Sequence, residues 1–206
     1  MKLIKEDADI SRAFYLSGGT ALAAFYLNHR ESEDLDFFSE QEVEPLVVEA
    51  FLKRHRAEIK YKKIEFQKSF NRNLFFLHFD ANVLKTEFTY FPFTPIEKGP
   101  KVGKLRIDSL RDIAANKAFT ITQQLRARDF VDVYFICKHA NYKLADLIKD
   151  ARVKFDAFID PIQFGSHLLQ VGELKDWPRM KIRVTKKELQ TFFANEAALL
   201  KKQVLS

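Results

Sequence analysis

The 206-residue chain is long enough for one core or two small packed lobes, and its 47% hydrophobic and 30% charged residues are typical of a globular protein. Its formal charge of +6 favours polyanionic partners mildly. Because Cys137 is the only cysteine, an internal disulfide and a cysteine-built metal cluster are excluded.

The opening residues and the apolar pattern predict a cytoplasmic protein that does not enter the membrane. The start MKLIKEDADI carries charge where a signal peptide needs an apolar stretch. No apolar run approaches the ~20 residues that a membrane-spanning helix needs.

The first half of the chain mixes strand and helix patterns. An apolar segment over Ala13 to Leu16 ends at a Ser-Gly-Gly-Thr turn, and the run Thr20 to Leu27 predicts a helix buried on every side. The later elements of this half are a strand over Leu35 to Phe38, an amphipathic helix over Glu42 to Arg54, an alternating segment over Ile59 to Phe66, a hairpin of Leu74 to Phe79 with Val83 to Phe93, and a strand over Lys104 to Ile107.

From Asp108 onward the hydrophobic period changes from two to about 3.6, which predicts helices. The predicted helices cover Ser109 to Thr122, Asp129 to His139, Leu144 to Phe155, Ile162 to Val171 and Thr185 to Leu205. We therefore predict an α+β protein in which a sheet-bearing core, residues 1–107, precedes a helical C-terminal lobe, residues 108–206.

The segment YLSGGTALAAFYLNHRESEDLDFFS, residues 15–39, carries the strongest chemical signal. Gly18 and Gly19 let the backbone approach a ligand closely, and the free N–H groups of a following helix favour an anion. Thr20 is a candidate both to cap that helix and to donate to a phosphate. A turn with a capping residue is the alternative interpretation.

A D-x-D pattern follows on the next predicted strand. Asp34 and Asp36 are two residues apart, so a strand projects both carboxylates from one face. Such oxygen ligands suit Mg²⁺, which also takes waters and substrate phosphates. A D-x-D pair alone is more often a solvated strand start, but the double glycine ahead of it favours a site.

Together these residues resemble the G-[GS] and D-x-D signature of polymerase-β-type nucleotidyltransferases. GGTAL, HR and DLDFF resemble the opening motif of the AbiEii/AbiGii toxin family, which includes the MenT toxins. The resemblance implies a polymerase-β-type core, a mixed sheet with helices, that uses Mg²⁺ or Mn²⁺ and a nucleoside triphosphate. It also implies the toxin of a toxin–antitoxin or phage-defence system, with a cognate antitoxin and an RNA (a transfer RNA, for example) or protein acceptor.

A third carboxylate on a neighbouring strand is usual in polymerase-β-type sites, and Glu87 in VLKTEFTYFPF matches that position. Lys85 and Thr89 share its face of the predicted strand. The resemblance thus implies that Asp34, Asp36 and Glu87 hold the metal. An exposed strand carboxylate is the alternative for Glu87.

The second motif is KLRIDSLRDIAANKAFTITQQLRARDFVDVYFI, residues 104–136. Lys117 lies on an apolar helix stripe, where it either snorkels outward or reaches a triphosphate in a cleft between the lobes. Asp132 lies on a predicted buried helix and needs a cation, with Lys117 and Arg128 as candidates, whereas Asp129 is predicted to cap this helix. The resemblance implies that Lys117 and Asp132 belong to the active site.

Further cations are candidates for binding the nucleotide or another anion. Arg30 follows the apolar helix and is expected to face the triphosphate, and His29 beside it is more often structural. Lys175, Arg179, Lys181, Arg183 and Lys186 form either an anion-binding surface or a solvated face. The candidate site residues are Asp34, Asp36, Glu87, Lys117 and Asp132 for catalysis, and Gly18, Gly19, Thr20, Arg30, Lys117 and Arg128 for the nucleotide.

Two other classes of protein are open at this point. One is a non-catalytic nucleotide- or RNA-binding protein that keeps the fold, and the other is a structural helical partner protein. The complete set of acids together with Lys117 favours the enzyme. In that enzyme an acceptor hydroxyl attacks the α-phosphorus in line and pyrophosphate leaves.

Overall fold

The chain folds into two compact units in the computed structural model, which describes residues 2–205 and the side chains of residues 2–200. Unit 1 comprises Met1–Ala21, Ser32–Thr94 and Lys98–Ser109. Unit 2 comprises Leu22–Glu31, Pro95–Glu97 and Leu110–Ser206. Unit 2 therefore contains a segment of the N-terminal half, residues 22–31.

Unit 1 is built on a seven-stranded mixed sheet. Its strands are β1 Tyr15–Ser17, β2 Leu35–Ser39, β3 Lys63–Ser69, β4 Arg72–His78, β5 Val83–Tyr90, β6 Lys101–Val102 and β7 Leu105–Ile107. Their order is β3-β4-β5-β2-β1-β7-β6, with β2 parallel to β5, β1 parallel to β7 and the other neighbours antiparallel. The predicted mixed sheet, with its β4–β5 hairpin, is confirmed.

Phenylalanines fill the core of unit 1. Phe88 on β5 is buried and stacks on Phe37 of β2 with 4.9 Å between the ring centroids. Phe14 and Phe75 meet the same ring edge-on, at 4.9 and 5.9 Å. Each buried ring contributes about 1.5–3 kcal/mol by leaving water, so this cluster fixes β2 beside β5.

Short helices accompany the sheet of unit 1, and longer ones build unit 2. The first group is α1 Lys2–Glu6, α2 Ala8–Ala13, α3 Gly18–Leu22, α4 Pro45–Arg54 and α5 Arg56–Ile59. The second group is a π-helix Ala23–Leu27, α6 Leu110–Gln123, α7 Ala127–Ala140, α8 Leu144–Phe155, α9 Pro161–Leu169, a 3₁₀ turn Gln170–Glu173 and α10 Lys186–Leu205. The five predicted C-terminal helices are confirmed.

Three predicted elements differ from the structure. The helix predicted over Thr20 to Leu27 is not buried on every side, because it continues as a π-helix with no buried residue and an exposed Ala24. The helix predicted from Glu42 begins at Pro45, whose fixed φ favours the first helical position. The strand predicted from Ile59 begins at Lys63, because the helix α5 occupies residues 56–59.

The described helices do not combine the length and hydropathy of a membrane span. Within residues 2–205, none is both long and apolar enough to cross a membrane. The longest, α10, mixes charged with apolar residues along its 20 positions.

Candidate active site

Strand register places the first group of predicted site residues together in unit 1. Asp36 on β2 has Glu87 on β5 as its parallel Cα partner and Ser17 on β1 as its antiparallel partner. Residues that are directly opposite on neighbouring strands project from the same face. The sheet therefore brings Asp36 and Glu87 side by side, as the sequence predicted.

Asp34 joins this face from just outside the strand. It lies one residue before β2, and its Oδ2 is 3.3 Å from Nζ of Lys85, which is also 3.4 Å from Oε2 of Glu87. Because one ammonium meets both carboxylates, Asp34 and Glu87 are on the same side of the sheet. The strand begins at Leu35, as predicted, so Asp34 immediately precedes the strand on which the D-x-D pattern was placed.

Thr20 holds the segment that carries Asp34. Its hydroxyl donates to the backbone carbonyl of Asp34 and lies 2.9 Å from Oγ of Ser32. The prediction that Thr20 caps a helix was wrong, because the helix α3 already begins at Gly18 and Thr20 lies inside it. Thr20 therefore fixes the start of the D-x-D segment.

The carboxylate of Glu87 is paired with cationic side chains of the protein. Nε and Nη2 of Arg72 donate to Oε1 and Oε2 at 2.6 Å each, and the Thr89 hydroxyl donates to Oε1 at 2.9 Å. Burial raises the pKa of Glu87, but these hydrogen bonds and the charges of Arg72 and Lys85 bring it below its ordinary value. The carboxylate is thus ionised, and its acceptor sites are largely used.

Glu87, which was expected to be a third metal ligand, contacts Arg72, Lys85 and Thr89 in this structure. Among the described residues, no three His, Cys, Asp or Glu side chains are arranged to hold a metal ion. Asp34 and Asp36 still provide the one or two carboxylates with which proteins usually hold Mg²⁺. The Asp36 charge also helps raise the pKa of Arg72, after the larger effect of the hydrogen bonds to Glu87.

Gly18 is fixed by its backbone and by Asp36. Its φ of +69° is unfavourable for other residues, and a Cβ added there would lie 2.5 Å from Oδ2 of Asp36. A side chain at position 18 would therefore displace the carboxylate. Glycine is required here by both the backbone conformation and the neighbouring side chain.

Substituting Gly18→Ala is expected to lower the free energy of unfolding by roughly 1–3 kcal/mol, because it adds backbone strain and a steric clash. The control is Gly165→Ala in α9, where a Cβ has only an ordinary contact at 4.0 Å. Urea denaturation measures both variants. Equal stability of the two would contradict the tight placement of Asp36.

The second group of predicted residues forms a buried ion-pair cluster in unit 2. Asp132 on α7 accepts hydrogen bonds from Nε of Arg30 at 2.6 Å and from Nη2 at 2.7 Å, and His29 Nε2 is 2.8 Å away. Lys117 Nζ on α6 lies 2.9 Å from Asp132 and 2.6 Å from Asp129. The predicted pairing of Lys117 with Asp132 is confirmed.

Three details of the cluster differ from the sequence predictions. Asp129 is not the N-cap of α7, which begins at Ala127, and its carboxylate instead accepts from Lys117 and from Arg126 Nε at 2.7 Å. Arg128 is exposed, so it does not supply the predicted charge for Asp132. Arg30 is 4% exposed and supplies that charge, although it was expected to face the triphosphate.

The electrostatics keep this cluster ionised. Burial raises the pKa of Asp132, but Lys117, Arg30 and His29 shift it far below its ordinary value. Burial lowers the pKa of Lys117, but the charges of Asp132 and Asp129 raise it above its ordinary value. The three cations Lys117, Arg30 and Arg126 contact the two carboxylates of Asp129 and Asp132. Apart from His29, the cluster therefore has one positive charge in excess.

The candidate catalytic residues fall into two groups, one in each unit. The carboxylate group of unit 1 contains Asp34, Asp36 and Glu87, with Gly18 and Thr20 supporting the first two. The ion-pair cluster of unit 2 contains Lys117, Asp132 and Arg30. Sequence reasoning missed Arg72, which lies outside the predicted strand, and the role of His29, whose signals were its place beside Arg30 and the HR pair of the opening motif.

Comparison with known proteins agrees with these motifs. Residues 3–198 match the family described as "Nucleotidyl transferase AbiEii toxin, Type IV TA system". The protein is accordingly a nucleotidyltransferase. The chain belongs to the AbiEii toxin family, whose match covers nearly the whole sequence.

One curated relative and two solved structures are similar to this chain. An uncharacterized protein of Aquifex aeolicus (strain VF5) is 31% identical over 146 residues, which are 71% of this chain and 68% of that protein. JHP933 of Helicobacter pylori has a similar structure, with a TM-score of 0.62 and 21% identity over 98% of this chain and 88% of that one. MenT4, a nucleotidyltransferase toxin of Mycobacterium tuberculosis H37Rv, has a TM-score of 0.59 and 15% identity over 92% of this chain and 75% of that one. These two structures share the fold.

Proposed function

We propose that this chain transfers a nucleoside monophosphate from a nucleoside triphosphate to a hydroxyl group of an RNA or protein acceptor. The observation that carries the proposal is the buried ammonium of Lys117. An ammonium has three N–H donors, and Asp129 and Asp132 engage it at 2.6 and 2.9 Å while its side chain stays 11% exposed. A further donor and the excess positive charge suit a phosphate oxygen.

In the proposed reaction the oxygen of the acceptor hydroxyl forms a bond to the α-phosphorus and its proton passes to solvent. The bond between the α-phosphorus and the oxygen that bridges to the β-phosphorus breaks, and pyrophosphate leaves. Lys117 binds the polyphosphate, and Asp132 positions its ammonium. Arg30 and His29 hold Asp132 in turn. Gly18 and Thr20 keep the aspartates of the D-x-D segment in place, as their contacts with Asp36 and Asp34 indicate.

We propose Asp34 and Asp36 as the ligands of a divalent ion, Mg²⁺ or in its place Mn²⁺. Such an ion offsets polyphosphate charge and polarises the reacting phosphoryl group. Glu87 is proposed as the counter-ion of Arg72 and Lys85, because its hydrogen bonds are already taken. Three carboxylates and two cations leave this face a net charge of −1, which favours binding of a cation.

The affinity for Mn²⁺ distinguishes the proposed counter-ion role of Glu87 from the proposed ligand role of the aspartates. Glu87→Gln is expected to change the Mn²⁺ dissociation constant by less than about fivefold, the size of one screened charge. Asp36→Asn is expected to weaken binding by at least roughly 10–100-fold, because that is the typical effect of removing a partner outside the ligand shell and Asp36 is a proposed ligand. Titration followed by electron paramagnetic resonance measures both. Equal weakening by the two substitutions would restore Glu87 as a ligand.

The family description, which names a type IV toxin–antitoxin system, supports a proposed biological setting. We propose that the chain acts as a toxin in the cytoplasm, where nucleoside triphosphates are available, with a cognate antitoxin or within phage defence. The proposal is tested with each α-³²P-labelled nucleoside triphosphate, Mg²⁺ and either total RNA or total protein. Label in one pool identifies the acceptor class and the nucleotide, whereas no label in either pool opposes the transferase.

A further inference from the structure

One loop of unit 2 holds most of the excess positive charge of the protein. Residues 175–187, KDWPRMKIRVTKK, which we call the basic strap, contain six lysines and arginines and one aspartate. The strap thus has a net charge of +5, while the whole chain has +6. All six cations are exposed, and the strap joins the 3₁₀ turn to α10.

Few strap cations lie within ion-pair distance of a carboxylate, and Arg183 has a smaller electrostatic effect on Glu188, whose pKa is lowered mainly by its hydrogen bonds to Thr185. Among the described residues, the one strap cation within ion-pair distance of a carboxylate is Arg179, whose Nη1 is 3.8 Å from Glu31. Lys181 donates to the neutral side chain of Asn28 at 3.1 Å, and Lys186 lies over the ring of Trp177 at 5.1 Å. The one acidic residue, Asp176, instead accepts a hydrogen bond from the backbone of Ala127.

Backbone hydrogen bonds fix the strap to the residues that hold Asp132. The His29 carbonyl accepts from the backbone N–H groups of Lys181 and Ile182 at 2.9 and 3.0 Å. The Arg179 carbonyl accepts from the N–H of Glu31 at 2.9 Å, and Met180 forms a β-bridge with Arg30. His29 and Arg30 thus contact the strap through their backbones and Asp132 through their side chains.

We propose that the basic strap binds the phosphodiester backbone of a nucleic acid and so makes a nucleic acid the acceptor, an inference that rests on the proposed transferase function. Lys and Arg clusters that lack acidic partners are typical of phosphate contacts. Protein interfaces are instead depleted in lysine and anchored by aromatic side chains. In the strap, the Trp177 ring is covered by Lys186. Six of the nine exposed side chains are cations, and the other three are Asp176, Ile182 and Thr185.

The test measures binding of a fluorescent single-stranded RNA of roughly 20 nucleotides, and of DNA of the same sequence, by anisotropy across a range of salt. The strap variant is Arg179→Gln/Lys181→Gln/Arg183→Gln. The control is Lys143→Gln/Lys149→Gln/Arg152→Gln, which removes the same charge from exposed positions at the start, middle and end of α8. We expect the strap variant alone to lose about tenfold or more in affinity, with a salt slope shallower by about 2.

The outcomes test the inference and identify the part of the nucleic acid that is bound. If the strap variant loses affinity for both RNA and DNA, the strap binds the phosphodiester backbone that they share. If it loses affinity for RNA alone, the strap also contacts the ribose hydroxyl. Affinity within about twofold of the wild type, or equal loss in the control variant, overturns the inference and leaves an acidic protein surface as the partner.

A parallel measurement separates this inference from the transferase itself. Binding of α-³²P-labelled nucleoside triphosphate is expected to persist in the strap variant, because Lys117 and Asp132 are unchanged. If RNA binding depends on the strap but the wild type transfers no nucleotide, nucleic-acid binding by the strap is supported and the transferase function is refuted. If the wild type transfers nucleotide to protein and RNA binding does not depend on the strap, the transferase function is supported and nucleic-acid binding by the strap is refuted.

Discussion

Replacing Asp132 by asparagine is expected to lower the free energy of unfolding by about 3–5 kcal/mol and to abolish nucleotide transfer. The substitution leaves Arg30 and Lys117 without the buried carboxylate that both contact, at 2.6 and 2.9 Å. Breaking a buried ion pair from one side costs this much because the remaining charges lose their partner in a poorly solvated place. Urea denaturation measures the stability term.

The control for this prediction is Asp146→Asn on α8. Asp146 is exposed and forms a single 3.5 Å ion pair with Lys149, so a change below about 1 kcal/mol is expected. A loss of that small size in Asp132→Asn would show that the cluster does not stabilise unit 2. Normal transfer by a folded Asp132→Asn variant would remove Asp132 from the proposed site.

The same cluster predicts a pH dependence with a definite sign. The pKa of Asp132 is lowered on folding, so its stabilising effect is present above the unfolded value of about 3.9 and is lost as the pH falls towards the folded value. The pKa of Lys117 is raised, so its effect is present below about 10.4 and is lost at more alkaline pH. Asp132→Asn should therefore show a shallower acid limb than the wild type.

Replacing Asp36 by asparagine is expected to reduce transfer by about 10³-fold or more with little effect on folding. A metal ion supplies several kcal/mol of stabilisation to a phosphoryl-transfer transition state, and each 1.4 kcal/mol is about tenfold in rate. Asp36 is only half-buried, and it faces the cations of a sheet surface rather than the phenylalanine core. Rates with saturating Mg²⁺ measure the loss.

The matched control is Glu33→Gln, an exposed acid in the same segment. It is expected to transfer nucleotide within about twofold of the wild-type rate, since exposed charges are well screened. If both variants lose activity equally, local charge matters rather than metal ligation by Asp36. If neither does, the D-x-D segment is not the metal site.

Local patterns in the sequence predicted most elements of the fold and which candidate site residues share a face. The alternation around Glu87 gave the face shared with Lys85 and Thr89, and the helix stripe placed Lys117 near Asp132. Both predictions depend only on the fixed periods of strands and helices. Such periods identify a face without showing what lies opposite it.

Such patterns do not predict contacts between residues that are distant in the sequence. Arg30 meets Asp132 across 102 residues, and no local rule links them. Arg72 reaches Glu87 because it is the Cα partner of Thr89 in the β4–β5 register, whereas the predicted strand began at Leu74. The grouping of residues 22–31 with the helical unit follows from packing, which one sequence does not reveal.

The most direct test of the account is a parallel incubation of wild-type protein with α-³²P- and γ-³²P-labelled forms of one nucleoside triphosphate, with Mg²⁺ and total RNA. A nucleotidyltransferase that acts through Asp36 and Lys117 is expected to place the α-label in RNA and release the γ-label as pyrophosphate, and Asp36→Asn is expected to do neither. Transfer of the γ-label to the acceptor, or equal α-labelling by Asp36→Asn, would contradict the account.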